Sequence, residues 1–360
     1  MADRDTLLRI LDLSRWAPSG DNTQPWRFEI VSDAHVAVHA FDTRDEVLYD
    51  LDGRASQLSV GMLLETMRVA ASGEGLGMEY ARRPGSPDTH PIIDVYLSAE
   101  PPVQRDPLFP CLKVRATQRR ATRRRPLTDT EKSMLEQSLG EGCRVVWLEG
   151  ARKRKASWLL FRLADVRLRM PEAFAVHSQI VEWNARYSED KLPAQSIGLN
   201  PLMTRMLPLF MGDWKRFRFM NRWLLGTLLP SIELDLVPAL FSGAHFLLFS
   251  EQLPGNIDEQ LKAGQAIQRF WLTAAHLGLQ LQPTYSAVCF AKYHSEGKHV
   301  STEPGLDERL VPILRDFSHL YGQNAWERAF FMGRVGAGAA PDSRSVRRPL
   351  RDLFVRDAGP

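Results

Sequence analysis

The stretch Ala17-Pro18-Ser19-Gly20-Asp21-Asn22-Thr23-Gln24-Pro25-Trp26 constrains this chain more than any other. Two prolines and a glycine in ten residues stop a helix or strand from running through it. Before it, Leu7, Ile10 and Leu11 recur at helical spacing over residues 5–16. After it, Phe28, Ile30, Val36 and Val38 alternate, which predicts two strands around a turn at Ser32-Asp33. The stretch is therefore a helix-to-strand loop. Its small polar residues can offer N–H groups and amide side chains to a planar polar ligand. By composition alone it is also what an ordinary connection looks like.

The rest of the chain alternates helical and strand patterns. Ser56 is placed to cap a helix over 57–71, and the glycines at 73, 75 and 77 end it. Those glycines are not a phosphate loop, since no GxGxxG joins a strand to a helix there. Residues 92–97 read as a strand, and 100–110, with four prolines, as a boundary between units 1–110 and 111–360. In the second unit, 112–118 reads as helix-like and Thr128 opens a helix through Leu139. Strands follow at 145–148 and 246–249, with helices over 151–169, 258–277 and 306–320. Gly333 to Gly338 leads into a basic tail.

With 44% hydrophobic and 25% charged residues, the composition is that of a water-soluble globular chain. Net charge is only +3, so bulk electrostatics does not call for nucleic acid. Three cysteines without metal or redox spacing fit a reducing, cytoplasmic compartment. The first residues lack the pattern of a signal peptide. The longest apolar run, 224–241, is broken by Glu233, Asp235 and two prolines. Scattered histidines without HExxH spacing predict no metal site. The basic run 119–125 is a solvated face or an anion site. A nucleic-acid patch would need interleaved aromatics, which it lacks.

Pro18, Ser19, Gly20, Asn22, Gln24, Pro25 and Trp26 together resemble the signature loop of the FMN-dependent nitroreductase family. Arg120-x-Thr122-x-Arg124, followed by Pro126-Leu127, is similar to the element with which that family holds the FMN phosphate. In the ordinary family the arginine element comes first; here the loop does. That order resembles a fused branch, the dormancy-associated FMN-binding proteins of mycobacteria, in which two halves of one chain imitate a homodimer. Gly278-Leu279-Gln280-Leu281-Gln282-Pro283 resembles a third family segment, and places Pro283, Thr284, Tyr285 and Ser286 beside the flavin. Tyr285 and Ser286 replace the commoner Glu-Gly pair there. Arg347, ahead of Pro349, matches a basic tail residue that touches the phosphate.

The resemblance implies an α+β fold, with a mostly antiparallel sheet flanked by helices and two pseudo-twofold lobes sharing one FMN. It implies an oxidoreductase passing hydride from NADH or NADPH to a small acceptor, with no side chain as acid or base. Pro18, Ser19, Gly20 and Asn22 would line the ring, while Arg120, Thr122, Arg124 and Arg347 would hold the phosphate. Residues 193–241 form an insertion, which as a closed lid would make the protein a flavin store instead. The Arg/Trp/Phe-rich part, 205–223, also has the pattern of an interfacial helix, although packing onto the other lobe explains it more cheaply than a membrane does. Further dimerisation stays open.

Overall fold

Asp3 accepts the Thr6 N–H at 2.8 Å and starts the first helix, Arg4–Ser14, whose Leu7, Ile10 and Leu11 are buried. In the computed structural model, which describes residues 3–223 and 226–355, that helix leads through the proline-rich loop into a hairpin, Trp26–Ser32 and His35–Ala40. Leu224, Leu225 and the Arg222 and Trp223 side chains, all within the expected 193–241 insertion, lie outside the described residues. A long helix, Arg54–Ser72, and strands Gly77–Arg82 and Ile92–Ser98 complete the first lobe.

The second lobe repeats this order. Helix Asp129–Gln137 precedes strand Cys143–Leu148; strand Ala244–Ser250 precedes helix Ile257–His276; strands Leu279–Pro283 and Ala329–Ala337 follow. Each lobe has one four-stranded antiparallel sheet. The spatial orders are 26–32, 35–40, 92–98, 77–82 in the first and 143–148, 244–250, 329–337, 279–283 in the second. The chain is thus α+β with two topologically matching lobes. Where the first hairpin turns at residues 33–34, the second lobe inserts residues 149–243, a wider excursion than the 193–241 read from sequence.

The two long helices, Arg54–Ser72 and Ile257–His276, cross at a reciprocal pair of glycines. A Cβ on Gly61 would lie 2.2 Å from the Leu261 carbonyl oxygen, and one on Gly264 would lie 2.2 Å from that of Leu58. Their bare backbones let the axes approach until Leu58 and Met62 share a buried cluster with Ile267, Phe270 and Trp271 of the partner helix. The first sheet buries one face, with Trp26, Phe28, Val38 and Ile93 against the helices. The central strand of the second, Ala244–Ser250, is covered on both: Phe246 and Leu248 face the crossing helices, and Leu247 joins Leu160, Phe317 and Met332.

Several local expectations change. The Arg54–Ser72 helix starts three residues early, behind left-handed Gly53, and Ser56 does not cap it. Ser56 instead bonds Asp50 through both its N–H, at 2.9 Å, and its hydroxyl, at 2.6 Å. Residues 112–118 are a turn and an isolated bridge, Thr117 to Leu281, not a helix. Gly333 and Gly336 belong to a buried strand. The basic tail crosses back to the first lobe, where Phe354 bridges to Phe28 and Val355 N–H donates to the Phe28 carbonyl at 2.9 Å.

Gly61→Ala and Gly264→Ala should each lower the unfolding free energy in urea by about 1–3 kcal/mol through overpacking. Gly212→Ala, whose Cβ would meet nothing within 4 Å, should stay within about 0.5 kcal/mol of the parent. Equal midpoints for all three would show that the crossing tolerates wider spacing.

Candidate functional site

A cavity of about 430 Å³ opens between the lobes, within the range of about 300–1,000 Å³ usual for small-molecule sites. Its walls include Pro18, Ser19, Gly20 and Asn22 from the first lobe and Pro283, Thr284, Tyr285 and Arg347 from the second. Eight of the residues singled out from sequence therefore meet at one site. Ser286 also lines it.

The first-lobe loop holds an unusual conformation. Asp21, Asn22 and Gln24 have positive φ of 49°, 66° and 51°, a region in which Asp and Asn are the best tolerated non-glycine residues. Gln24, wholly buried, fastens it: its Nε2 donates to the Asn22 carbonyl at 3.0 Å and the Glu189 carbonyl at 2.8 Å, and its Oε1 accepts the Arg348 N–H at 3.0 Å. Asn22 Nδ2 donates to the Lys191 and Val346 carbonyls at 3.3 and 3.2 Å. The amide nitrogens thus tie the loop to the second lobe. Of these two amides, Asn22 Oδ1 has no hydrogen-bond partner among the described residues.

Three arginines, Arg115, Arg344 and Arg347, cluster in the cavity lining. Arg115 is buried; its Nη2 donates to the Trp16 carbonyl at 3.1 Å, its guanidinium lies 4.6 Å from the Trp271 ring centroid, and its Nε has no partner. Arg347 Nε donates to the Ala17 carbonyl at 2.9 Å. Arg344 lies over the Trp16 ring, 5.0 Å from its centroid. Among the described residues none of the three has a carboxylate within ion-pair distance. Asp12, the nearby acid, is held by Arg15 at 2.7 Å and Lys113 at 3.4 Å. Burial, then the positive charge of Arg347 and Arg344, pushes Arg115 well below the ordinary arginine value. Burial, with Arg344 and Arg15, brings Arg347 down to about 9. Arg115 and Arg347, buried cations that repel one another and meet only carbonyls and ring faces, have a chemistry that suits an anion, with half-buried Arg344 beside them.

Elsewhere in the lining, cations and carboxylates face one another. Arg167 lies 3.4 Å from Asp235, and Arg334 Nη2 donates to the Arg119 carbonyl at 2.8 Å. Burial raises the Asp21 carboxyl pKa against the opposing pull of Arg119 and Arg167. Tyr49 hydroxyl and His177 Nε2 are 3.3 Å apart, and burial lifts the phenol pKa far above its usual value. The remaining wall is apolar and comes largely from the 149–243 excursion, with Leu163, Ile197, Leu207, Met211, Phe217 and Leu234.

Arg120, Thr122 and Arg124 do not line the cavity, which corrects their expected placement. Arg120 and Arg124 are exposed, and Arg124 sits 5.8 Å from the Phe241 ring centroid. Thr122 packs on Gly336 and donates its hydroxyl to the Phe241 carbonyl at 3.1 Å. The same Arg-x-Thr-x-Arg spacing occurs five residues upstream, as Arg115-Ala116-Thr117-Gln118-Arg119, and all three of its key residues line the cavity. The backbone explains the choice: the Thr117–Leu281 bridge and the Gln118 N–H donating to the Leu281 carbonyl at 3.1 Å bring this segment to the edge of strand Leu279–Pro283. Sequence reasoning also missed Arg344, Tyr49 and Arg167. The repeated spacing was the available signal for the first set; nothing local marks the others.

No family model matches the chain, and no curated protein matches it. Among solved structures, it is similar to a nitroreductase-like family protein from Bacillus cereus (14% identity, 71% of this chain and 97% of that one, TM-score 0.33). It is also similar to a protein from Desulfovibrio desulfuricans described as a nitroreductase and solved with FMN (12% identity, 71% and 99%, TM-score 0.30). At these TM-scores neither likeness carries an argument about this chain.

Burial holds His177 neutral, with a pKa near 3 against an ordinary 6.5. Once unfolded, the imidazole takes up its proton near 6.5, so its contribution is whole above that pH and is lost as pH falls from about 6.5 toward 3. His177→Gln should flatten part of the decline in urea midpoint across this window, to which His245, also near 3, contributes in the same direction. An unchanged slope would remove His177 from the acid sensitivity.

Proposed function

We propose that this chain is an FMN-binding oxidoreductase whose single flavin site is built by both lobes. The observation that carries the reading is the cluster of buried Arg115 and Arg347 with half-buried Arg344, without an acid partner among the described residues, in a cavity also lined by residues 18–22 and 283–286. A phosphate monoester fits the arginines by charge and by forked donor geometry. The partnerless Asn22 Oδ1, Gln282 Oε1 and Thr284 Oγ1 offer polar atoms to a ring edge. No dinucleotide-binding glycine motif is present in the sequence, which favours the mononucleotide over FAD. Bound there, FMN would supply hydride acceptance from NADH or NADPH and transfer to a small acceptor. The protein's own residues would neutralise the phosphate, tie the loop of residues 18–24 to the second lobe and keep water from the cavity.

A second reading, flavin storage without turnover, is favoured by one observation: the 149–243 excursion walls the cavity and would leave a nicotinamide little access. Anaerobic mixing separates the two. Flavin bleaching within seconds by NADH or NADPH supports the oxidoreductase; a flavin reduced by dithionite but by neither nicotinamide supports storage.

Arg115→Ala and Arg347→Ala should each weaken FMN about ten- to a hundredfold, from about 1.5–3 kcal/mol per charge-assisted hydrogen bond. The exposed Arg120→Ala/Arg124→Ala pair should retain it. The reverse pattern in fluorescence titrations would return the phosphate to the downstream arginines. If one chain builds the whole site, mixing Asn22→Ala with Arg115→Ala protein should restore no binding, and recovery on mixing would require a site shared between two chains.

A further inference from the structure

Helix Pro201–Met211, within the excursion over the cavity, is apolar around nearly its whole circumference, with only Thr204 and Arg205 polar. An all-round apolar helix belongs in a core or against lipid. Here one side is packed: Met211 is buried with Phe217 and Met220, and Leu207 and Phe210 close on them. The opposite side is bare. Leu202, Met206 and Leu209, one face by their i, i+4, i+7 spacing, are 66%, 43% and 68% exposed.

The adjoining helix, Trp214–Trp223, repeats the arrangement. Phe217 and Met220 turn inward, while Phe219 is 58% exposed between Lys215 and Arg218 on the outer side. Arg205, Lys215 and Arg216 have no carboxylate partner among the described residues, and Arg218 reaches Glu303 only at 4.0 Å. Asp213, the acid between the helices, accepts the Arg216 N–H at 2.9 Å.

We propose that the outer face of residues 201–220 docks on an anionic membrane surface. Four apolar side chains would enter the headgroup–acyl boundary and four cations would meet lipid phosphates, the pattern of an interfacial rather than a spanning segment. No helix among the described residues is long and apolar enough to cross a membrane. Free cations beside bare leucines favour lipid over a second copy of the same face, which would set cation against cation. The inner faces of these helices line the cavity through Leu207, Met211 and Phe217, so docking would set its apolar wall next to the bilayer.

The test is flotation of the full chain with vesicles of phosphatidylcholine alone or mixed with phosphatidylglycerol. Binding should require phosphatidylglycerol and fall steeply as salt approaches about 1 M. Lys215→Glu/Arg216→Glu should reduce it by about fivefold per charge removed or more. Leu209→Glu/Phe219→Glu should abolish it while circular dichroism and FMN titration stay unchanged, since neither residue lines the cavity. Absence of binding at low salt, or binding that both variants keep, overturns the proposal. So does a concentration-dependent dimer that Leu209→Glu dissolves, which would give this face to a second copy. The readout is protein on vesicles, so it stands or falls separately from flavin binding.

Discussion

The crossing of Arg54–Ser72 and Ile257–His276 at Gly61 and Gly264 is the contact on which the rest of the architecture depends. Each glycine faces a carbonyl of the other helix, so the contact repeats itself across a pseudo-twofold and fixes both rotation and height. Polar pairs lock the same register: Gln268 Nε2 donates to Thr66 Oγ1 at 2.9 Å, and Arg269 meets Glu65 at 2.7 Å and Asp106 at 2.9 Å. Glu65 is buried, and burial raises its pKa against the pull of Arg269, so separating the helices would leave an unpaired buried charge as well as lost packing. Because the two helices carry the two sheets, their spacing sets the distance between the loop at residues 18–24 and the strand end at 283. A wider crossing would open the cavity between them.

Much of this could be read in the sequence, and what was missed failed for physical reasons. Residues 57–71 and 258–277 were legible because a buried face repeats at helical spacing over about four and five turns. Strand Gly77–Arg82 was not, because its Met78 alone is buried and the alternation is too weak to see. Strand Ala329–Ala337 hid behind its glycines: a Cβ at Gly333 would lie 2.6 Å from the Gln282 carbonyl oxygen, and one at Gly336 2.4 Å from Thr122 Oγ1, so close neighbours rather than flexibility require them.

The site shows the same limit more sharply. The loop at residues 18–26 carried its own signature, whereas Arg-x-Thr-x-Arg occurs at both 115–119 and 120–124. Spacing cannot separate two copies five residues apart; burial can. Arg115 is stacked on Trp271 out of water, and Arg120 is exposed. Tyr49, Arg167 and His177 come from three elements and meet only in the folded chain, so no local pattern could announce them.

The two lobes share a topology but not a surface, and the difference lies in two connections. Residues 284–328, with helices Ser286–Ser295 and Leu306–Tyr321, stand where the first lobe has the short link 83–91, and the hairpin turn is expanded as well. The first hairpin turns in two residues and leaves the outer face of its sheet to water, where Tyr96 and Glu29 stand. The matching turn of the second lobe is replaced by residues 149–243, which cover the far face of that sheet and then extend across the cavity. The inserted segment supplies both the acid-balanced pair Arg167–Asp235 and most of the apolar wall. The arginine cluster belongs instead to Arg115 and the tail, outside the inserted segment. Most of the cavity's apolar wall thus comes from a segment that has no counterpart in the first lobe.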